Sequence, residues 1–170
     1  MSKHWPTWPE IQTAVKRAMV NLFWACDLFE GDARALPLMT RYLIFILHYN
    51  GLAGRREEWE ILLAKHVREQ IDAGENVLIC QKHKTAETYG DVGKHLFEGT
   101  VYAMDIYDKA FKHRPRTGDL FFQPVKGKSI NINDHLEKGG KEFFPTLKDQ
   151  PTSQLIRKQF HTRVNNLICM

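Results

Sequence analysis

Apolar residues return at helical spacing over most of the chain. From Trp8 to about Phe29 they recur every three or four positions, with Pro9 in the first turn, which predicts an amphipathic helix. The inward stripe of this helix is predicted to hold Ile11, Val15, Met19, Leu22, Phe23 and Cys26. A second segment, from Pro37 to about Tyr49, is apolar almost all round and is therefore predicted to be a buried helix.

The period of the pattern changes after the next helix. An amphipathic pattern from Gly54 to about Ala73 predicts a third helix, which Gly74 is expected to end. Residues 76–83 then favour a β-strand, residues 85–90 a turn and residues 91–97 a second strand. Together they predict a small antiparallel hairpin.

Helical spacing resumes in the second half of the chain. It predicts a helix over 100–111, a weak helix over 133–138 and a last helix over 153–168, for which Thr152 or Ser153 would be the N-cap. The intervening chain is turn-rich, with a short apolar segment at 120–122. This order predicts a mainly α architecture with a small antiparallel β hairpin, an α+β fold, in one domain over residues 1–170.

Charge and cysteine content narrow the range of partners. Residues 1–111 hold 13 Lys and Arg against 15 Asp and Glu, whereas residues 112–170 hold 11 against 5, so the segment after residue 111 is expected to meet an anionic partner. Cys26, Cys80 and Cys169 form no CxxC pair, so neither a zinc site nor a disulfide framework is predicted. The cysteines are expected to be reduced thiols in the nucleus or cytosol.

No membrane partner is expected from the sequence. The longest apolar run, residues 42–47, is far below the roughly 20 residues of a membrane-spanning helix, and the N-terminal residues lack an apolar leader. The chain is therefore expected not to be secreted.

A first candidate for chemistry is the segment YNGLAGRREEWEILLAKHV, where a buried helix ends at a glycine turn and a new helix opens with Arg55 and Arg56. The N-terminal end of a helix dipole is positive and disfavours a cation, whereas a phosphate bound there would favour an arginine. Arg55 and Arg56 compete for this role. The alternative is a solvated RREE cluster in which the arginines pair with their own acids.

Two further candidates follow along the chain. Lys84 lies in the predicted hairpin turn beside Lys82 and His83, where a lysine is ordinarily just solvated. The segment QLIRKQFHT, residues 154–162, places Arg157 near the start of the last helix. The alternative there is an ordinary amphipathic helix, which leaves the arginine unexplained.

In this order the three signals, GRREE, KHKT and QLIRKQFHT, resemble the catalytic domain of tyrosine recombinases, the phage-integrase-like proteins. The pattern is most similar to the transposon-borne Crypton-like branch and its domesticated relatives. The resemblance covers residues 36–168, after a helical entry segment over 1–35. It implies catalytic positions at Arg55, Lys84, Gln154 and Arg157. It implies DNA phosphate contacts at Arg56, Lys82, His83, Lys158, His161 and Arg163.

The resemblance also implies a mechanism for DNA strand exchange in integration or transposition. A tyrosine attacks the scissile phosphate, two arginines hold the developing charge, and a lysine protonates the leaving 5′ oxygen. Gln154 stands where the family has a histidine, and it cannot exchange a proton as a histidine does. The family's nucleophile follows the second arginine, whereas all five tyrosines of this chain precede Arg157.

We therefore expect an incomplete recombinase domain that binds double-stranded DNA and does not cleave it unaided, with no metal and no cofactor. Self-association on DNA is a further expectation. Three functions stay open: an enzyme domain completed by a partner, a domesticated non-catalytic DNA-binding module, and a protein-interaction scaffold that has lost DNA binding. A steep salt dependence of DNA affinity would separate the first two from the third.

Overall fold

The computed structural model describes residues 5–52, 56–74, 77–80, 92–95, 98–124 and 130–168, with the backbone alone for 51–52, 56, 77–80, 92–95, 98 and 164–168. The fold is mainly helical, as predicted. The helices are α1 (Trp8–Gly31), α2 (Leu36–Leu47), α3 (Arg56–Glu60), α4 (Ala64–Asp72), α5 (Glu98–Lys109), α6 (Ile132–Phe143) and α7 (Ser153–Ile168). Short 3-10 turns at Ala33–Ala35 and Ala110–Lys112 and a π-helical turn at His48–Leu52 join some of them.

Helix α2 lies at the centre of the core. Its residues 43–47 have no exposed surface, and it packs against α1 on one side and against α6 and α5 on others. Full burial of each large aliphatic or aromatic side chain contributes about 1.5–3 kcal/mol. The prediction that this segment is a buried helix is confirmed.

Helix α1 begins as its sequence predicts. Thr7 caps it by accepting a hydrogen bond from the Glu10 N–H at 3.3 Å, and Pro9 lies in the first turn. The predicted stripe is buried at Ile11, Leu22 and Cys26, and burial raises the pKa of the Cys26 thiol to about 12. Phe23 was wrongly assigned to this stripe, because its side chain points outward and is 54% exposed.

The predicted third helix is broken in two. Helix α3 ends at Glu60, the chain is extended at Leu63, and α4 starts at Ala64. The cause is a pairing with a distant segment. The Phe121 N–H donates to the Leu62 carbonyl at 2.7 Å, and the Ala64 N–H donates to the Asp119 carbonyl at 2.9 Å. These bonds replace helical ones, so a continuous helix over 54–73 is wrong.

Helix α4 is tied to α5 by an ion-pair network. The Arg68 guanidinium reaches Asp105 at 2.7 Å and Asp108 at 3.0 Å on α5, and Asp72 at 2.9 Å on its own helix. Gly74 ends α4 with φ of +70°, a conformation that glycine adopts without strain. The predicted helix stop is therefore confirmed.

Two short strands lie between α4 and α5. β1 (Val77–Cys80) and β2 (Val92–His95) pair antiparallel, with Val77 opposite His95 and Cys80 opposite Val92. The predicted turn, with Lys82, His83 and Lys84, lies outside the described residues. The hairpin with a lysine at its tip stays a prediction.

The second half of the core is built around α5 and the segment that follows it. Tyr107 is fully buried, shares a hydrogen bond of 3.1 Å with Thr40 of α2, and packs against Phe121 and Phe122. The weak helix predicted at 133–138 is the longer α6, capped by Asn131, which accepts from the Asp134 N–H at 3.0 Å. Helix α7 has the predicted bounds.

Candidate nucleic-acid interface

The start of α7 is fixed by a cap and by a tie to α6. The Thr152 hydroxyl accepts a hydrogen bond from the Leu155 N–H at 3.3 Å, so Thr152 is the N-cap. The Ser153 N–H donates to the Asn133 side chain at 3.1 Å. Pro151 is buried just ahead of the helix. These contacts fix the direction in which the candidate side chains of α7 point.

Four candidate residues share one face of α7. Gln154, Arg157, Lys158 and His161 are spaced by three, four and seven residues, which places them within a sector of about 100°. Gln154, Lys158 and His161 are exposed, and Arg157 is half-buried. We call these four residues the polar face of α7.

The opposite side of α7 anchors it to the core. Ile156 is fully buried and Phe160 packs against the core cluster. The Thr162 hydroxyl donates to the Lys158 carbonyl at 3.0 Å, so it is engaged by the helix itself. Within the described residues, Arg157 and Lys158 have no carboxylate within ion-pair distance, and both charges are therefore left to solvent or to a ligand.

Arg163 lies apart from the other α7 candidates. Its guanidinium stacks on the Trp8 ring, 4.0 Å from the ring centroid. Trp8 in turn lies 5.2 Å from the Phe160 ring, and Trp5 lies 5.9 Å from Trp8. A cation over an indole is stabilised by the ring quadrupole, so Arg163 has a structural role in holding the entry segment against α7. The sequence reasoning missed Trp8 as its partner.

The chain that leads to the first arginine packs against α7. The π-helical turn His48–Leu52 contacts α7, and Trp5 bridges them, with its ring 6.0 Å from Tyr49 and 6.5 Å from Phe160. Single π turns are rare and occur often at functional sites. Arg56 opens α3 after this turn, although its side chain and the whole of Arg55 lie outside the described part.

A cavity with three carboxylates in its wall lies beside the start of α7. It has a volume of about 400 Å³ and lies between the start of α6 and the segment before α7, where Asp134, Glu137 and Asp149 contribute to its wall. Lys138 hydrogen-bonds Asp134 at 2.9 Å and lowers the pKa of that carboxyl. Pro151 and Thr152 also line this cavity, which therefore lies at the N-terminal end of α7.

The tyrosines that the structure describes are poorly placed for nucleophilic attack, with one exception. Tyr42, Tyr49 and Tyr107 are buried, and desolvation raises the pKa of all three, that of Tyr107 to about 12. Tyr102 on α5 is 55% exposed. Tyr89 lies outside the described residues. Buried phenols in the core cannot reach a DNA phosphate.

A second surface was not foreseen from the sequence. The outer side of α1 exposes Val20, Phe23, Trp24 and Leu28, each by more than half. The signal was available in the spacing, because residues 20, 24 and 28 lie four apart and form their own stripe. This outer stripe was overlooked because Phe23 fits the spacing of both the inward and the outer stripe.

Neither a metal site nor a membrane span emerges from the described residues. No group of three or more metal-binding side chains comes together there. None of the described helices combines the length and apolar character that crossing a membrane requires. Comparisons of the chain with known protein families, with curated proteins and with solved structures found no match.

Proposed function

We propose that this protein binds the phosphate backbone of double-stranded DNA through the polar face of α7, as a non-cleaving module of tyrosine-recombinase descent. The observation that carries the proposal is the shared face of Gln154, Arg157, Lys158 and His161, whose cations lack carboxylate partners in the described chain. Arg157 can offer a phosphate two parallel N–H donors, while Lys158 adds a point charge. Gln154 can donate a neutral hydrogen bond.

The position of the π-helical turn supports a composite phosphate site. The turn contacts α7, and Arg55 and Arg56 follow it within a few residues. A second arginine supplied from this side would complete a clamp of the kind that the recombinase resemblance implies. Lys84, Lys82 and His83 of the predicted hairpin belong to the same proposal. The excess of 11 basic over 5 acidic residues after position 111 supports an anionic partner.

Strand cleavage by these residues alone is not part of the proposal. Cleavage needs a phenolate that can reach the scissile phosphate. The exposed tyrosine that the structure describes, Tyr102, lies on α5 rather than after the second arginine. We expect no covalent protein–DNA adduct on a nicked suicide duplex, with or without the Tyr102→Phe substitution.

The deciding experiment measures DNA affinity against salt concentration. Each phosphate contact makes the logarithm of the association constant fall with the logarithm of salt by a slope of about −0.9. The double substitution R157E/K158E should therefore make the slope less negative by about 2, and should weaken binding at low salt by roughly a hundredfold or more, since charge reversal adds repulsion.

The matched control is Lys65→Glu, which reverses one charge on α4. Lys65 is 87% exposed and lies 3.9 Å from Glu69, outside the polar face of α7. Its affinity and salt slope should stay close to those of the unsubstituted protein. A flat salt response of the unsubstituted protein, or R157E/K158E binding that equals the control, would refute DNA binding through α7.

A protein-interaction module is the second candidate function. The exposed apolar side of α1 favours it, because contiguous apolar surface is typical of protein-binding sites. A flat salt response together with self-association or partner binding through α1 would select this function.

A further inference from the structure

Helix α1 presents large apolar side chains to solvent. Val20, Phe23, Trp24 and Leu28 are 57, 54, 60 and 58% exposed, and the Phe23 and Trp24 rings lie edge to face with centroids 6.4 Å apart. Single exposed apolar residues are common, whereas four on one helix face are not. We call these four residues the outer face of α1.

Two residues of the outer face, Val20 and Phe23, belong to a symmetric pattern of charged and apolar residues, and Trp24 and Leu28 lie beside it. Lys16, Val20, Phe23 and Asp27 follow one another at intervals of four, three and four residues. Eleven residues make three turns to within about 20°, so Lys16 and Asp27 lie on the same side of the helix, and the four positions follow one line, a band about 60° wide and about 16 Å long. In either direction along this line a charged residue is followed by two apolar residues and then by a residue of the opposite charge, at the same spacings.

The two end charges are available for a partner. Within the described residues, neither Lys16 nor Asp27 has an oppositely charged group within ion-pair distance. Their neighbours are engaged inside the chain: the Arg17 guanidinium lies 5.4 Å from the Phe143 ring centroid, and Glu30 lies 3.5 Å from His113. The unpaired charges are thus the two that flank the apolar line.

We propose that the outer face of α1 binds the same face of a second copy of this chain, with the two helices antiparallel. A two-fold axis between positions 21 and 22 places each Lys16 opposite Asp27 of the second copy and each Val20 opposite Phe23 of the second copy. Such an interface is isologous, because the same patch serves both subunits. An antiparallel pair at the usual 8–10 Å separation brings these side chains into contact.

The size of the outer face predicts a weak dimer. Its exposed side chains offer roughly 400 Å² per subunit, about half of the 800 Å² that each partner buries in an interface of standard size. Apolar burial supplies the attraction, and the two ion pairs fix the antiparallel register. Lys16 of one copy meets Asp27 of the other only in this register, so the charge pattern lets the chain recognise a second copy of itself.

The experiment is a charge swap followed by sedimentation equilibrium of the whole chain without DNA. We expect the unsubstituted protein to dimerise reversibly with concentration. K16E or D27K alone turns two attractions into two repulsions and should raise the dimer dissociation constant by roughly tenfold or more. K16E/D27K restores both pairs with reversed signs and should return the constant to within about threefold of the original.

Two further variants complete the design. Val20→Ser with Trp24→Ser removes apolar surface from exposed positions, and we expect this change to abolish the dimer while the helical circular dichroism stays unchanged. Lys65→Glu should leave the dimer as it is. A monomer at every concentration, or a double charge swap that fails to rescue, overturns the proposal. Because no DNA is present, this result is independent of DNA binding through α7.

Discussion

His135 should make the protein sensitive to mild acid. The imidazole is buried on α6, and desolvation lowers its pKa from the ordinary 6.5 to about 4, with the nearby Arg41 guanidinium as a second cause and Lys138 as a smaller one. The Asp134 carboxylate acts in the opposite direction. The folded protein therefore keeps His135 neutral at pH values where the unfolded chain has protonated it.

The sign and size of the effect follow from this difference. Between about pH 6.5 and pH 4 the unfolded state binds the extra proton, so stability falls as pH decreases through this window. At 1.36 kcal/mol per pKa unit, the full loss is about 3 kcal/mol, of which about 2 kcal/mol is lost by pH 5. That is a large fraction of the 5–15 kcal/mol that is usual for a domain.

The assay is urea unfolding of the unsubstituted protein and of two non-titrating variants, His135→Leu and His135→Gln, from pH 7.5 to pH 4.5. Both variants should lose less stability than the parent over this range, by about 2–3 kcal/mol at the acidic end. Carboxylates with lowered pKa that do not interact with His135, such as Asp105, act at lower pH and are common to all three proteins. Parallel stability curves for all three proteins would refute the reasoning.

Two smaller predictions concern the backbone and a buried hydroxyl. Gly74→Ala should lower the free energy of unfolding by about 1 kcal/mol, because φ is +70° there. Gly31→Ala lies at a helical position with open space around it and should be neutral or stabilise the protein by about 0.5 kcal/mol. The thermal unfolding midpoints of the two variants should therefore shift in opposite directions or differ clearly. Tyr107→Phe should lower the free energy of unfolding by about 1–2 kcal/mol, because the buried Thr40 hydroxyl loses its 3.1 Å partner, and a Thr40→Val/Tyr107→Phe double variant should recover part of that loss in urea unfolding.

Local pattern was sufficient where a helix depends on its own cap and stripe. Helix α7 has its predicted bounds because Thr152 caps it and Ile156 fixes its buried side. The pattern failed at residues 61–63, where helical periodicity continues through a break. The break depends on hydrogen bonds to residues 119 and 121, and nothing in the local spacing signals a partner that distant.

The candidate site likewise has one part that follows from local spacing and one part that depends on distant contacts. The grouping of Gln154, Arg157, Lys158 and His161 on one face follows from their spacing and was within reach of the sequence. The stacking of Arg163 on Trp8 was not, because it joins residues at opposite ends of the described chain. Phe23 was misplaced since its spacing fits two stripes, and only the packing of α2 and α5 decides which stripe faces inward.

The aromatic contacts of Trp5 and Trp8 with Phe160 also bear on how the chain folds during synthesis. These rings come from the first and the last described helical regions, so the entry segment cannot reach Phe160 until α7 has left the ribosome. At about 5–20 residues per second this delay is on the order of ten seconds or more. For that time Trp8 lacks the Phe160 ring that packs against it in the folded protein, and the nascent chain exposes this apolar surface to chaperones.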